Sequence, residues 1–409
     1  MSIRRFKKHY SLSEIENFVR APLTKRYTEY YLVRHDDTVI QDITEWIKPG
    51  GSINKNSNSG QSRSTSLTFN NEKTTFTTGY KNGIPIKEEK YIWTPTPGRG
   101  GLWEYNKIKI VTNMVLDNEV YEIDEGIFVL HDPSLSYNNS ENTVSIQCYD
   151  KFALIDGTIE GTADTDYEIP IGTPLHQAIE SILHLRRYNG VPFDLKPVSF
   201  PPKYKNVLTP YTLKKTSDSS LGEIIVELAK MISCDAKYND EGYLTITDTL
   251  ADLDYHARSV AWNYSPNEFK NPTLNIERSK IKNKVTVVGA NINGALCKGI
   301  ATNNNPASNY NINSPFGLRS TKITDDLIYS DIMCTERARY ELKKFAQNYA
   351  TLNFTSNYIP HIEPGDIIRW TYDPWEIEQE EFLINTITVP LDGKNLMSLS
   401  CTNVKELPI

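Results

Sequence analysis

The feature that most constrains this chain is a run of short alternating strands that occurs twice. Residues 362–407 (IEPGDIIRWTYDPWEIEQEEFLINTITVPLDGKNLMSLSCTNVKEL) read as strands at 366–370, 381–387 and 395–401, with an earlier one at 352–356. Apolar residues at every second position, bounded by Gly, Pro, Asn and Asp, mark each of them. Residues 105–152 (YNKIKIVTNMVLDNEVYEIDEGIFVLHDPSLSYNNSENTVSIQCYDKF) repeat that order. Lys107-Ile108-Lys109-Ile110 stands where Asp366-Ile367-Ile368-Arg369 stands, and Phe128-Val129-Leu130 matches Phe382-Leu383-Ile384. Asn142, Ser145, Ile146 and Cys148 match Asn395, Ser398, Leu399 and Cys401. A duplicated β-module is expected.

At 409 residues the chain exceeds one core, because hydrophobic cores stop growing near ~250–300 residues. Three or four domains are expected. The 39% hydrophobic and 23% charged composition is that of a globular protein, and 24 tyrosines suit strands and contact surfaces. A net charge of −7 gives no basic field for nucleic acid. The basic N-terminus (Arg4, Arg5, Lys7, Lys8) continues into SLSEIENF, without the apolar run of a signal peptide, and reads as a docking or flexible tail. No window approaches the ~20 apolar residues of a membrane-spanning helix. Five scattered cysteines without a C-x-x-C pair suggest reduced thiols, with Cys148 and Cys401 acting as small apolar groups inside strands.

The expected organisation is an N-terminal arm (1–24), a first β-module (25–158), an α+β domain (159–272) and a second β-module (273–409). The second module carries an Asn- and Ser-rich inserted loop (291–322) and a helix (325–349). In the first module, 27–47 reads as a hairpin turning at His35-Asp36-Asp37, and 49–66 as a loop that rejoins the sheet or is disordered at its tip. Residues 84–105 form a Pro/Gly-rich loop between Trp93 and Trp103, packed on its own module or offered to a partner. In the α+β domain one helix opens with Thr173 as N-cap and Pro174 after it. A second opens with the capping box Ser220-x-x-Glu223, and a hairpin turning at Asn239-Asp240-Glu241-Gly242 follows it.

Chemistry is scarce. There is no HExxH, G-x-S-x-G or Walker A pattern. Gly98-Arg99-Gly100-Gly101 precedes LWEYN rather than a helix, which argues against a phosphate loop. His176 and His184 are eight apart on one helix, too far to chelate one ion. His35-Asp36-Asp37, His131-Asp132 and Asp252-x-Asp254-Tyr255-His256 with His361 have no spacing that specifies a metal site. Asp164-x-Asp166-x-Glu168 lacks the glycine of a calcium loop, with Ile169 in its place. Glu376, Glu378, Glu380 and Glu381 could offer a carboxylate pair about 6.5–7 Å apart on one strand face, but a charged strand edge is the simpler reading. No catalytic residue, metal ligand or cofactor is expected, and Trp93, Arg99 and Trp103 are the candidate partner contacts.

Three segments carry a resemblance: Glu363-Pro364-Gly365-Asp366-Ile367-Ile368 with the strands after it, SLGEIIVELAKMISCDAKYNDEGYLTITD (220–248), and EGIFVLHDPSLSYNNSENTVSIQCYDKFALI (125–155). Their order resembles the baseplate and tail hub family of tailed bacteriophages, including tail-associated hubs of Gram-positive phages and hubs of contractile tails. The resemblance implies a multidomain, mainly β fold with two tail-tube-like β-barrel modules and a helix/hairpin domain. It implies a homotrimer whose six modules form a ring, adapting a six-fold tail tube to a three-fold spike or fibre and letting DNA pass. The implied partners are the tail tube or distal tail protein, the tape measure protein, and a central spike, fibre or receptor-binding protein. The implied location is the virion tail tip or baseplate, assembled in the host cytoplasm without membrane insertion, with any receptor-binding or lytic part on a separate polypeptide. Two alternatives stay open: a carbohydrate-binding tail protein with Trp93 and Trp103 as the sugar platform, and a cell-wall hydrolase using Glu376–Glu381.

Overall fold

The computed structural model describes residues 12–404 apart from 22–24, 72, 82–83, 92–105, 117–118, 139–140, 188–189, 233, 249–258, 293, 326–327, 329, 348–349 and 395. The chain forms two units. The first comprises Met1–Asp248, Tyr358–His361 and Thr388–Met397; the second comprises Thr249–Asn357, Ile362–Ile387 and Ser398–Ile409. Strands dominate both, and four α-helices lie among the described residues.

In the first unit, helix α1 (Leu12–Arg20) precedes nine strands: β1 (Lys25–Val33), β2 (Val39–Asp42), β3 (Ser52–Asn56), β4 (Arg63–Asn70), β5 (Lys73–Lys81), β6 (Ile84–Tyr91), β7 (Lys107–Leu116), β8 (Glu119–Asn138) and β9 (Glu141–Asp150). β5 and β6 make a separate hairpin, and the others lie in the order β3-β4-β9-β8-β7-β1-β2, each neighbouring pair antiparallel. After β2 the chain crosses from one end of this order to the other. Ile43 N–H donates to Tyr30 O on β1 (2.9 Å), and Lys48 N–H donates to Thr68 O on β4 (2.8 Å). That crossing closes the strands into a barrel, which removes two of the sheet's open edges. Tyr30, Leu32, Ile53, Leu67, Phe69, Ile108, Ile110, Phe128, Ile146 and Cys148 fill it. The 49–66 stretch read as a loop contains β3, and its tip docks instead of dangling: Gly60 N–H donates to Ala236 O at 2.7 Å.

The α+β part of the first unit has its own core. Helices α2 (Leu175–Leu183) and α3 (Leu221–Lys230) pack their apolar faces together with the pairs β10 (Tyr167–Ile169)/β11 (Leu213–Lys215) and β12 (Cys234–Tyr238)/β13 (Leu244–Asp248). Ser220 caps α3, its Oγ accepting from Glu223 N–H at 3.0 Å. At α2 the expectation fails by one residue. Pro174, extended at ψ 123, is the N-cap and makes no side-chain cap bond. The Thr173 hydroxyl turns back to donate to Pro170 O at 2.7 Å, so it is spent on the preceding turn.

The second unit repeats the barrel. It is built from β14 (Trp262–Tyr264), β15 (Phe269–Ile276), β19 (Ala350–Ser356), β20 (Ile367–Tyr372), β21 (Ile377–Pro390) and β22 (Met397–Asn403), in the order β15-β19-β22-β21-β20-β14. Between β14 and β15 the turn at Ser265–Glu268 carries the chain from β20 to β19 and closes this barrel too. Residues 291–322, expected to lack periodic structure, contribute strands. β16 (Lys284–Ile292) pairs with β17 (Ala295–Thr302) and β18 (Ser320–Thr324), and α4 (Asp331–Gln347) covers one face of the three. Val285, Val287, Ala301, Cys334, Ala338 and Leu342 form their core. The glycine in ALCKGIAT hides the strand signal but permits this packing. A Cβ at Gly299 would meet the Cys334 carbonyl carbon and the Thr335 nitrogen at 2.2 Å.

Four strands of the two barrels match, β4-β9-β8-β7 in the first and β19-β22-β21-β20 in the second. In the first, Ile108 pairs with Phe128 and Lys107 with Val129; in the second, Ile368 pairs with Phe382 and Ile367 with Leu383. Lys107–Ile110 and Ile367–Trp370 both run buried, buried, half-buried, buried. The sequence match is therefore displaced by one residue: Lys107 corresponds to Ile367, not Asp366. A one-residue slip exchanges the two faces of a strand, so the pairing partner decides the register where composition is ambiguous. In β9 and β22, Val144, Ile146, Cys148 and Asp150 are buried as are Met397, Leu399, Cys401 and Asn403. The hydroxyls of Thr68 and Ser145 lie 3.2 Å apart, and those of Thr355 and Ser398 lie 3.4 Å apart.

Candidate functional site

The strongest concentration of chemistry lies in the first unit, where five charged side chains meet. Asp37 occupies a left-handed turn position (φ 63) that short polar residues tolerate, between β1 and β2. Its carboxylate bonds the ammonium of Lys107, the first residue of β7, and lies 2.9 Å from Lys151 and 3.1 Å from Lys196. Lys151, fully buried in the 3-10 turn after β9, also reaches Asp194 at 2.6 Å and stands 5.1 Å over the Tyr238 ring on β12. Burial alone would raise the Asp37 carboxyl, but Lys151 and Lys107 outweigh it and hold it at about 2. Burial, together with repulsion from Lys151, brings Lys107 down to about 8. A buried network is costly to form and costlier to break by one member, so this cluster pins barrel, turn and α+β part in one arrangement.

Beside it is a cavity of about 360 Å³ lined by His35, Lys107, His131, Glu160, Arg187 and Phe193 among others. Two cations that line it already have counter-ions: Lys107 bonds Asp37, and Arg187 bonds Glu160 through two nitrogens. Among the described residues no Ser, Thr, Cys or Tyr lines it. Asp150 lies deeper. Burial raises its carboxyl to about 6 against three backbone donors, the N–H groups of Ser62, Arg63 and Phe152 at 2.8, 2.8 and 2.9 Å. That is a cap on two chain segments, the work of a structural carboxylate.

The other sequence candidates disperse. Trp93, Arg99 and Trp103 lie outside the described residues, as do Asp252, Asp254 and His256. His176 stacks edge-on to Phe200 at 6.5 Å, and His184 closes α2 as its C-cap. Asp166 accepts from Ser217 N–H at 2.9 Å and Glu168 pairs with Lys214 at 3.1 Å, which places both in turn and strand contacts. Of the acidic run, Glu381 pairs with Arg369 at 2.8 Å and Glu380 accepts from Asn403 at 3.2 Å. Glu376 ends a 3-10 turn at φ 54. Among the described residues, no three His, Cys, Asp or Glu side chains are grouped to hold a metal ion, and no helix is long and apolar enough to cross a membrane. All five cysteines are free, and burial pushes the Cys148 and Cys401 thiols up. Sequence reasoning missed the Asp37 network. Its only local signal is lysines at the end of one strand and just past another, and the partners lie far apart in the chain.

No protein-family model matches the sequence, and no curated protein matches it. Solved structures do. The chain is similar to the 43 kDa tail protein of prophage MuSo2 from Shewanella oneidensis, with a TM-score of 0.58 at 15% identity over 92% of this chain and 98% of that one. It is similar to a tail protein from Neisseria meningitidis MC58, with a TM-score of 0.56 at 10% identity over 92% and 97%. It is also similar to a chain of the lidded Francisella PdpA–VgrG complex, with a TM-score of 0.54 at 10% identity over 95% and 54%. At such identities the likeness is one of fold: a mainly β, multidomain architecture similar to those of phage tail proteins and a VgrG complex.

Proposed function

We propose that this chain is a non-enzymatic structural hub of a phage tail tip or baseplate. In this reading three copies place six barrels in a ring that adapts a six-fold tail tube to a three-fold spike or fibre. The observation that supports it most is the pair of barrels in one chain that share the order and register of four strands, β4-β9-β8-β7 and β19-β22-β21-β20. Six similar modules from three chains meet a six-fold partner on one side and a three-fold partner on the other, and a closed ring leaves no interface unsatisfied. The fold likeness to tail proteins and to a chain of a VgrG complex agrees with it.

In the proposed assembly residues 25–158 and 273–409 are the ring modules and 159–272 the domain beside them. Trp93, Arg99 and Trp103 are contacts for the tube, the tape measure protein or the spike. The chain acts in the virion, and its net charge of −7 suits a lumen that DNA must leave, since a basic lining would retain phosphates. Native mass spectrometry tests the reading. A particle of three chains is expected, whereas a monomer at all concentrations that binds cell-wall glycans would replace the hub with a carbohydrate-binding tail protein. Lysis of cell walls that disappears in Glu378→Gln would replace it with a hydrolase.

A further inference from the structure

The first barrel holds a buried cation that has no counter-ion among the described residues. Arg26 lies on β1 with its side chain turned inward and is only 4% exposed. One nitrogen, Nη1, donates to Lys394 O at 2.8 Å, and the guanidinium stands 4.3 Å from the centre of the Tyr358 ring. Among the described residues no carboxylate pairs with it, and its Nε and Nη2 have no hydrogen-bond partner. Glu125, a buried carboxylate that shares Tyr358 with it, is engaged by Lys55 and by the Tyr358 hydroxyl, both at 2.5 Å.

Arg26 is not alone. The next two inward residues of β1, Thr28 and Tyr30, also carry buried hydroxyls without a partner, as does Thr112, which pairs with Thr28 across β1 and β7. Inward residues on one strand lie about 6.5–7 Å apart, and directly opposed ones are closer. The Arg26 charge reaches the Tyr30 phenol, where burial raises the hydroxyl and the guanidinium opposes that rise. Two guanidinium N–H groups, with three unpartnered hydroxyls on the same face of β1 and β7, are thus the donors beside a positive charge that no described carboxylate pairs with. A water molecule would accept from the arginine but leave its charge unbalanced; a monovalent anion would satisfy both.

We propose that Arg26, Thr28, Tyr30 and Thr112 form a binding site for a small monovalent anion of halide size inside the first barrel. The second barrel has no counterpart, because β14 is short and runs parallel to β20 where β1 runs antiparallel to β7.

The full-length protein is titrated with chloride and followed by the line width of the 35Cl resonance. Wild type is expected to broaden the line, with the excess broadening lost in Arg26→Met and reduced in Tyr30→Phe. Should Arg26→Met fail to fold, Tyr30→Phe and Thr28→Val keep the cation and remove single donors, so the reading stays decisive. Crystals soaked in bromide give the second readout, an anomalous peak within hydrogen-bond distance of the Arg26 guanidinium. Equal broadening in wild type and the folded variants, or a water without anomalous signal at that place, would overturn the proposal.

Discussion

The two barrels share the order and register of four strands but not a filling. In the first, aliphatic side chains dominate, with Ile108, Ile110, Leu32 and Leu67 around Phe69 and Phe128. In the second, Trp262, Tyr264, Phe269, Phe354, Trp370, Tyr372 and Phe382 stack in chains of tilted and edge-on rings 4.8–6.4 Å apart. Ile110 and Trp370 hold the same place in the repeat, at opposite extremes of size. Each core tolerates its own choice because any in-phase apolar set of suitable total volume fills a barrel. The frames differ as well. The first barrel closes through a long crossing after β2 and is pinned by the Asp37 network, whereas the second closes through one turn beside a three-residue parallel strand. Pairing register and face alternation persist between the copies, and the means of holding them do not.

The largest effects should separate the barrels. Lys151→Met leaves the buried carboxylate of Asp194 without its ammonium and takes one of three cations from Asp37, and is expected to cost the first unit about 3–5 kcal/mol in chemical denaturation. The fluorescence of Trp262, Trp370 and Trp375 should report an unchanged transition for the second unit. Trp370→Ala reverses the pattern, costing the second unit about 3–5 kcal/mol and collapsing its near-ultraviolet dichroism. If either substitution destabilises both units alike, the contrast drawn between them is wrong.

Position 150 sharpens the comparison. Asp150 accepts three backbone N–H groups, while its counterpart Asn403 donates to Glu380. Asp150→Asn keeps one oxygen where two are used, so an unsatisfied donor should cost about 1–3 kcal/mol. The substitution also changes the pH profile. With a folded value of about 6 above the ordinary 3.8, Asp150 binds a proton in the folded state that the unfolded chain lacks, so its contribution falls as pH rises through that window. Asp37 has the opposite sign, with a contribution present above 3.8 and lost as pH falls toward about 2. Denaturation midpoints between pH 3.8 and about 6 should lose the Asp150 slope in the Asn variant and keep it in wild type.

The smallest effects belong to the half-exposed ion pairs. Arg369–Glu381 and Lys109–Asp124 are both at 2.8 Å; the two cations hold matching strand positions, but Glu381 corresponds to Ile127 and not to Asp124. Glu381→Gln and Asp124→Asn should each cost less than about 1 kcal/mol, and less still in high salt. A larger loss at Glu381 would give that acidic edge a role beyond solvation.

Much of this frame is legible in the chain because it rests on local pattern. Period-two alternation exposes β7 to β9 and β20 to β22, and Ser220-x-x-Glu223 announces α3. Legibility fails where a distant partner decides. The repeat slips by one residue because Lys-Ile-Lys-Ile and Asp-Ile-Ile-Arg fit two registers until Phe128 and Phe382 select one. The strand at Ala295–Thr302 is masked by the glycine its helix needs. The Asp37 network joins residues from four separate segments, and Arg26 looks like an ordinary charged residue until its surroundings are known.

The central claim is that two matched barrels per chain make a six-part ring from three chains. Electron microscopy of the purified full-length protein tests it directly. End-on views are expected to show a ring around a central channel, with six similar densities at the ring and three-fold symmetry overall. Isolated particles of one chain, or a closed assembly whose barrels do not face a common channel, would contradict the account.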